Sequence, residues 1–282
     1  MEPSHSLRPP FHLKGGRLDE KRNFMAILEY DGSAYHGWQW QKKKISLQQV
    51  FQEALQKIAG IKINVVASGR TDAGVHALAQ VVSFRLDTRH SPQTLERALN
   101  AHLPDSLVVK KVLIAKENFH AQLNAKKKLY AYFILNDSLP SAFLNRVSWE
   151  IHRPLDWKAM KKALKYLKGR HDFKSFQSVG TPVKTSVRTL HKMSLQRVGK
   201  GLAGFPKSHP LHFLVHPNLY VILLEANGFL KQMVRNIVGT VVQVGLGKMK
   251  PESIQEILKA KDRRKAGIAA PAKGLFLVEV KY

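Results

Sequence analysis

A polar turn separates two apolar segments at residues 65–84, VVASGRTDAGVHALAQVVSF. The valines and phenylalanine on its two sides predict β-strands. Between them lie a single carboxylate, Asp72, a guanidinium, Arg70, and two glycines. Polar groups on a loop between strands are held by a rigid scaffold, as catalytic groups commonly are. The turn therefore indicates a reaction centre, although its Gly-x-x-Asp-x-Gly spacing is also ordinary turn chemistry.

Residues 24–114 alternate strand-like and helix-like patterns around this turn. Ser46, with Gln49 three residues later, opens a predicted helix that ends at Gly60, and Ser91-Pro92 opens a second. The predicted strands are at 24–30, 63–67, 80–86 and 107–114. The order β-α-β-β-α-β is typical of a ferredoxin-like unit, whose sheet leaves one face open for a ligand.

The second half of the chain repeats this order with longer elements. Helices are predicted at 156–167, ending before Gly169, at 229–244 and at 251–261. Strands are predicted at 129–135, 147–151, 188–198, 212–226 and 275–282. The sequence thus predicts an α+β fold of two ferredoxin-like halves with antiparallel sheets. The expected division is a flexible N-terminal extension at 1–22, an N-terminal domain at 23–122 and a C-terminal domain at 123–282.

The charge of the chain points to a polyanionic partner. The 282 residues include 46 Lys and Arg but only 20 Asp and Glu, for a formal net charge of +26. The basic residues are spread through the folded segments, which favours nucleic acid binding over a merely solvated basic surface. No run of 18 apolar residues predicts a membrane span, and the N-terminus has no secretory signal pattern, so we expect a cytoplasmic protein.

The absence of cysteine restricts the chemistry that the chain can perform. With no cysteine there can be no disulfide, zinc-thiolate site or thiolate nucleophile. Reactions in which a thiolate adds to the substrate are therefore excluded. The GxGxxG at 199–204 is followed by proline-containing sequence that cannot open the required helix, and the prolines near His209, His212 and His216 argue against a metal site. We therefore expect no metal and no cofactor.

Residues 69–77, GRTDAGVHA, resemble the signature of the TruA family of tRNA pseudouridine synthases. The resemblance extends from Asn23 to Tyr282 and is carried by separate segments in the family's order. These segments are YDGS at 30–33, GWQWQ at 37–41, FHA at 119–121, KLYAY at 128–132, HDFKSF at 171–176, VRT at 187–189, FLKQMVRNIVG at 229–239 and GLFL at 274–277.

The resemblance implies the pseudouridine synthase fold, with an RNA-binding cleft between the two halves, and a homodimer. It also implies isomerisation of uridine to pseudouridine at positions 38, 39 and 40 of the tRNA anticodon stem-loop. That reaction breaks the bond between C1′ and N1 and rejoins the base through C5, so it needs no cofactor. One carboxylate suffices for it, whereas a glycosidase normally needs two.

The resemblance also assigns roles to five residues. Asp72 is implied as the catalytic carboxylate, acting on C1′ or on the C2′ proton, and Arg235 as the cation that keeps it ionised. Tyr130 is implied to stack on the uracil, Leu275 to close its other side, and Arg70 to contact RNA where the nucleotide leaves its stack. Without the resemblance, Tyr130 and Leu275 are ordinary core residues and Arg235 is a solvated helical arginine.

Three departures from the family concern RNA contacts rather than chemistry. Gln122 stands where the family usually has arginine, LPDS at 103–106 lacks the usual Gly-Asp, and the segment 199–218 is longer and more basic. The main alternative is a basic RNA-binding protein or chaperone without catalysis, against which the retained Asp72 argues. A metal-dependent nuclease would need clustered carboxylates that the sequence does not offer.

Overall fold

A computed structural model of the chain describes residues 21–180, 183–198 and 216–282. In this part of the chain ten strands form one sheet. In chain order they are β1 Arg22–Tyr30, β2 Val65–Ala67, β3 His76–Leu86, β4 Leu107–Ile114, β5 Lys127–Leu135, β6 Trp149–Glu150, β7 Gly169–Asp172, β8 Val187–Arg197, β9 Leu219–Ala226 and β10 Leu275–Lys281. The helices are α1 Leu47–Ala59, α2 Pro92–Asn100, α3 Trp157–Lys165, α4 Met233–Gly245 and α5 Ser253–Ala260.

The first half has the predicted ferredoxin-like topology. Its strands lie in the order β4-β1-β3-β2 and all pair antiparallel. Ser46 caps α1 by accepting a hydrogen bond from the backbone N–H of Gln49, and Gly60 ends the helix at φ 73°. The side chain of Gln49 bonds Glu53 instead of returning to the cap, so only one arm of the predicted capping box forms.

The second half repeats this topology. Its strands β10-β5-β9-β8 correspond in chain order to the fourth, first, third and second strands of the first half, with α3 and α4 at the equivalent positions. The duplication inferred from the order of elements is thus visible in the strand order. Two further strands enlarge the second half: β7 lies beside β8 at the edge of the sheet, and β6 pairs with the end of β5.

The two halves share a single sheet instead of forming two separate ones. The connection is a parallel pairing of β3 with β10, in which His76 lies opposite Phe276 and Ala77 opposite Leu277. Because β3 continues directly from the polar turn around Asp72, the turn lies at the junction of the halves. This is the place where we expected the cleft.

The main core lies on one face of the sheet, under the helices. It contains alternate residues of β1 and β5 together with buried side chains from all five helices. A smaller cluster on the opposite face includes Phe133, Leu223 and Phe276, partly covered by Leu144 and Val147. The alternation of buried positions along the strands follows from the two-residue period of a β-strand.

Some predicted boundaries were wrong. Arg22, assigned to the flexible extension, is the first residue of β1, and its guanidinium bonds the carbonyls of Thr88 and His90. The predicted helix at 229–244 begins only at Met233, because Gln232 has a left-handed backbone with φ 58°, which a right-handed helix cannot contain. Phe229 lies before this break and packs edge-on against Tyr130, with ring centroids 5.0 Å apart.

Other sequence predictions fall on residues outside the described ranges. These are most of the N-terminal extension, the GxGxxG at 199–204, His209, His212 and the start of the strand predicted at 212–226. Within the described residues that strand begins at Leu219. None of the helices in these ranges is long and apolar enough to cross a membrane.

Candidate active site

The loop that carries Asp72 is held from beneath by buried polar side chains. The hydroxyl of Tyr30 lies 2.9 Å from that of Thr71, and the amide of Gln80 donates to the carbonyl of Gly69 at 2.9 Å. The backbone N–H of Trp38 donates to the carbonyl of Thr71 at 3.0 Å. On the other side of Asp72, the backbone N–H of Gly74 donates to the carbonyl of Tyr35 at 3.3 Å. Residues on both sides of Asp72 are therefore anchored, and the carboxylate has a fixed starting position for chemistry.

Gly37 allows the neighbouring GWQWQ segment to lie directly against this loop. Its φ of 89° is in the left-handed region. A Cβ at this position would lie 2.6 Å from the carbonyl oxygen of Thr71 and 3.1 Å from the backbone N of Ala73. No side chain fits there unless the Asp72 loop moves.

We expect Gly37→Ala to destabilise the protein by more than about 3 kcal/mol, because left-handed strain adds to a backbone collision. Gly60→Ala is the matched control, since Gly60 has φ 73° but nothing within 4 Å of its added Cβ. The control should lose only about 1–2 kcal/mol. Urea unfolding of both variants measures the difference. Equal losses in the two variants would show that the close approach to Thr71 does not matter.

Asp72 and Arg235 face each other across the junction of the halves. Nη1 of Arg235 lies 3.2 Å from Oδ2 of Asp72, with side chains that are 15% and 27% exposed, respectively. Arg235 is in the first turn of α4, and its Nε donates to the carbonyl of Ala270 at 2.7 Å. The Ala270 N–H in turn donates to the backbone carbonyl of Arg235. The guanidinium is thus fixed on one side and presents its other side to the carboxylate.

Tyr130 and Leu275 complete the walls of a cavity around this ion pair. Its volume is about 990 Å³, and all five residues implied by the family resemblance line it. Tyr130, on β5, is buried, and this burial, with smaller contributions from Tyr30 and Asp72, raises the pKa of its hydroxyl well above the usual range. The hydroxyl therefore stays protonated at neutral pH and can donate a hydrogen bond to a bound base.

Arg70 lies at the mouth of the cavity, and its side chain is exposed. Among the described residues it makes no salt bridge, so its guanidinium is available to a ligand. Gln122, one of the departures from the family, also lines the cavity. A neutral amide at that position can still donate hydrogen bonds to RNA, but it adds no charge.

Lys128 is a cavity residue to which the sequence analysis assigned no role. It is two residues before Tyr130 on β5, so both side chains lie on the same face of the sheet. Its Nζ donates to the carbonyl of Ser68 at 2.6 Å, immediately before the Asp72 loop. The segment KLYAY at 128–132 could have predicted this position, because Lys128 is two residues before Tyr130 and such residues lie on the same face of a strand.

No group of three or more His, Cys, Asp or Glu side chains within the described ranges is arranged to hold a metal ion. The acid in the cavity is Asp72 and its partner is a guanidinium, which cannot act as a metal ligand. Chemistry at this site would therefore centre on one carboxylate beside one fixed cation.

Comparison with known proteins connects this geometry to a family. A family model described as tRNA pseudouridine synthase matches residues 26–123 and 163–282. These ranges include Asp72, Arg70, Arg235 and Leu275, whereas Tyr130 lies between them. The chain is 41% identical over 261 residues to the tRNA pseudouridine synthase A of Thermoanaerobacter sp. (strain X514), covering 93% of this chain and 100% of that protein.

A second relative is the tRNA pseudouridine synthase A of Bdellovibrio bacteriovorus, 45% identical over 260 residues, with 90% of this chain and 93% of that protein covered. Among solved structures, a chain from a crystal structure of a Cbf5-Nop10-Gar1 complex covers 93% of this chain and 59% of its own length, at 11% identity and a TM-score of 0.34. That likeness is too weak to bear on function, whereas the sequence matches span nearly the whole chain. This protein belongs to the TruA family of tRNA pseudouridine synthases.

Proposed function

We propose that the protein isomerises uridine to pseudouridine at positions 38, 39 and 40 of the tRNA anticodon stem-loop. The observation that carries the proposal is the Asp72–Arg235 pair, 3.2 Å apart in a cavity that also contains Tyr130. The relatives' shared name, tRNA pseudouridine synthase A, supports the assignment of tRNA as substrate. The net charge of +26 supplies the attraction to a phosphate backbone.

The site contains the groups that the reaction needs. The N1–C1′ bond of the uridine breaks, the base turns, and a C5–C1′ bond forms; the C5 hydrogen leaves as a proton and N1 gains one. Asp72 assists by adding to C1′ or by removing the C2′ proton. Arg235 stabilises the ionised carboxylate in a cavity from which the base excludes water. Nothing is added to the substrate overall, so no cofactor is consumed.

Tyr130, Leu275 and Arg70 have binding roles in this proposal. The aromatic face of Tyr130 stacks on the uracil while its protonated hydroxyl donates to the rearranging base. Leu275 is the buried first residue of β10 and closes the apolar side of the cavity. The exposed Arg70 contacts the RNA at the place that the extruded nucleotide leaves.

The alternative of a non-catalytic RNA-binding protein or chaperone explains the basic surface but not the cavity. Simple phosphate binding does not need a half-buried carboxylate, which repels RNA. Asp72 is nevertheless anchored on both sides and paired with a guanidinium held by Ala270. The geometry therefore favours catalysis over binding alone.

The site of modification can be tested by mapping pseudouridine in whole tRNA. We expect modification of more than one uridine at positions 38–40, with weak dependence on flanking bases, since a rigid basic cleft recognises the shape of the RNA. Extra G·C pairs in the anticodon stem should slow the three sites unequally, because Asp72 is fixed and the RNA must flex. Exclusive modification of a uridine elsewhere, such as the T-loop, would assign the protein to another type of synthase.

The homodimer and the cytoplasmic location remain predictions. The homodimer is implied by the family resemblance, and the cytoplasmic location is an expectation from the sequence pattern. Light scattering of the purified protein measures the first, and a mass near the 31.9 kDa of one chain would contradict it.

A further inference from the structure

Two half-buried cations lie beside the cavity, outside the Asp72–Arg235 pair. The first is Lys128, whose Nζ is 2.6 Å from the carbonyl oxygen of Ser68. A Cβ on the adjacent Gly69 would lie only 2.8 Å from this Nζ. The glycine of the signature sequence therefore leaves the space in which the ammonium group sits.

The second cation is Arg188, which the strand register brings to the same face. Lys128 lies opposite Ala226, and Ala226 lies opposite Leu190, so these three side chains share a face. Arg188 is two residues before Leu190 and points the same way. Next to it is Gly228, where an added Cβ would lie 3.5 Å from the Nε of Arg188.

Arg188 keeps donors available for a ligand. Its Nη1 donates to the carbonyl of Thr185 at 2.8 Å, which orients the guanidinium. Nε and Nη2 therefore remain to donate a bidentate pair of hydrogen bonds to a phosphate or carboxylate.

No carboxylate within the described ranges forms a salt bridge with either Lys128 or Arg188. Burial, followed by the nearby charge of Arg188, lowers the pKa of Lys128 to about 8. Burial likewise lowers the pKa of Arg188. Two like charges with little solvent and no counter-ion are unfavourable in the free protein. An arriving anion would relieve both the desolvation and the mutual repulsion.

We propose that Lys128 and Arg188 bind a backbone phosphate of the tRNA adjacent to the uridine that occupies the cavity. This proposal rests on the proposed function. Lys128 and Tyr130 are two residues apart on one strand, about 7 Å. This separation is comparable to the size of one nucleotide, so a base against Tyr130 brings a neighbouring phosphate toward Lys128. The pair would position the flipped nucleotide through its backbone, with no preference for flanking bases.

The test is a double-mutant cycle between Lys128→Met and single neutral methylphosphonates placed along the anticodon stem-loop RNA. We expect Lys128→Met to lower kcat/KM by roughly 10- to 100-fold, the usual range for losing a hydrogen bond to a charged group. One methylphosphonate next to the target uridine should lower the wild-type value similarly, yet have little further effect in the mutant. Lys128→Arg should restore most of the activity.

Lys126→Met is the matched control, because Lys126 is exposed and lies on the same segment. It should show no coupling to that methylphosphonate. If Lys128 had only a structural role, Lys128→Met would lower kcat/KM by the same factor with every RNA. Purely additive effects at all phosphate positions would therefore overturn the inference, as would equal losses for Lys126→Met and Lys128→Met.

The pH dependence is a second readout with a definite sign. Only protonated Lys128 binds the phosphate strongly, and its pKa in the free protein is about 8. Binding thus takes up a proton above pH 8, so kcat/KM should fall as pH rises from 8 to 9, approaching about tenfold per unit. Lys128→Arg should have a flat profile in this range, whereas the wild-type slope surviving in that variant would contradict the inference.

Among the charged and titratable groups around Lys128, the arginines and tyrosines do not produce this slope, and comparison with the Lys128→Arg profile separates the contribution of the others. Guanidinium groups remain charged throughout the range, and burial raises the pKa of both nearby tyrosines. The groups are Arg188 on β8, Arg70 and Asp72 on the loop, Lys231 and Arg235 at the start of α4, and Tyr130 and Tyr282.

Failure of this inference is distinguishable from failure of the proposed function. If the wild-type protein makes pseudouridine but the cycle is additive, only the phosphate site is wrong. If the wild-type protein makes no pseudouridine in any tRNA, the proposed function itself fails.

Discussion

Asp72→Asn is expected to abolish turnover, lowering the rate by at least about 10⁴-fold, because an amide can neither add to C1′ nor accept the C2′ proton. Binding of tRNA should remain within about tenfold of wild type, since phosphate contacts dominate affinity. Single-turnover assays and filter binding measure the two quantities separately.

The control for this substitution is Asp87→Asn, which removes an exposed carboxylate just after β3. It should leave turnover unchanged. Appreciable pseudouridine formed by pure Asp72→Asn protein would remove Asp72 from its catalytic role. Loss of tRNA binding in step with turnover would instead indicate that the substitution disrupts the loop.

Arg235→Met is expected to lower the rate far more than Arg235→Lys. Methionine leaves the half-buried Asp72 without its cation. Breaking a fully buried ion pair typically costs about 3–5 kcal/mol. The cost here is smaller, because both side chains are partly exposed. Lysine keeps a positive charge but loses the two-sided geometry that joins Asp72 to the Ala270 carbonyl. We expect losses of about 10²- to 10³-fold for Met and about tenfold for Lys.

Arg264→Met gives a matched comparison for this pair. Arg264 lies 2.8 Å from Asp262, but its side chain is 90% exposed. Exposed ion pairs contribute little, so this variant should have wild-type turnover and nearly unchanged stability. Rates near wild type for both Arg235 variants would show that the Asp72–Arg235 contact is irrelevant to the reaction.

Local sequence signals predicted the first half of the fold well. Ser46 and Gly60 bound α1 where expected, and Ser91 caps α2, whose first residue is Pro92. These signals work because a cap satisfies backbone donors that the helix itself leaves open, which depends on few neighbours. The β4 prediction at 107–114 was confirmed at both ends.

Features that depend on contacts between distant parts of the chain were harder to predict from the sequence. The late start of α4 follows from the left-handed backbone of Gln232, and the parallel pairing of His76 with Phe276 joins segments 200 residues apart. Neither has a local signal. The family resemblance brought Asp72 and Arg235 together, whereas the residue pattern alone favoured a solvated arginine. Lys128 was missed because its charge becomes meaningful only beside Arg188.

Tritium release from tRNA labelled at C5 of uridine tests the central claim most directly. Forming the C5–C1′ bond expels the C5 hydrogen, so the purified protein should release tritium to water in step with the pseudouridine formed. Asp72→Asn should release none while still binding the tRNA. Binding of tRNA by the wild-type protein with no tritium released would contradict the account and favour a non-catalytic RNA-binding protein.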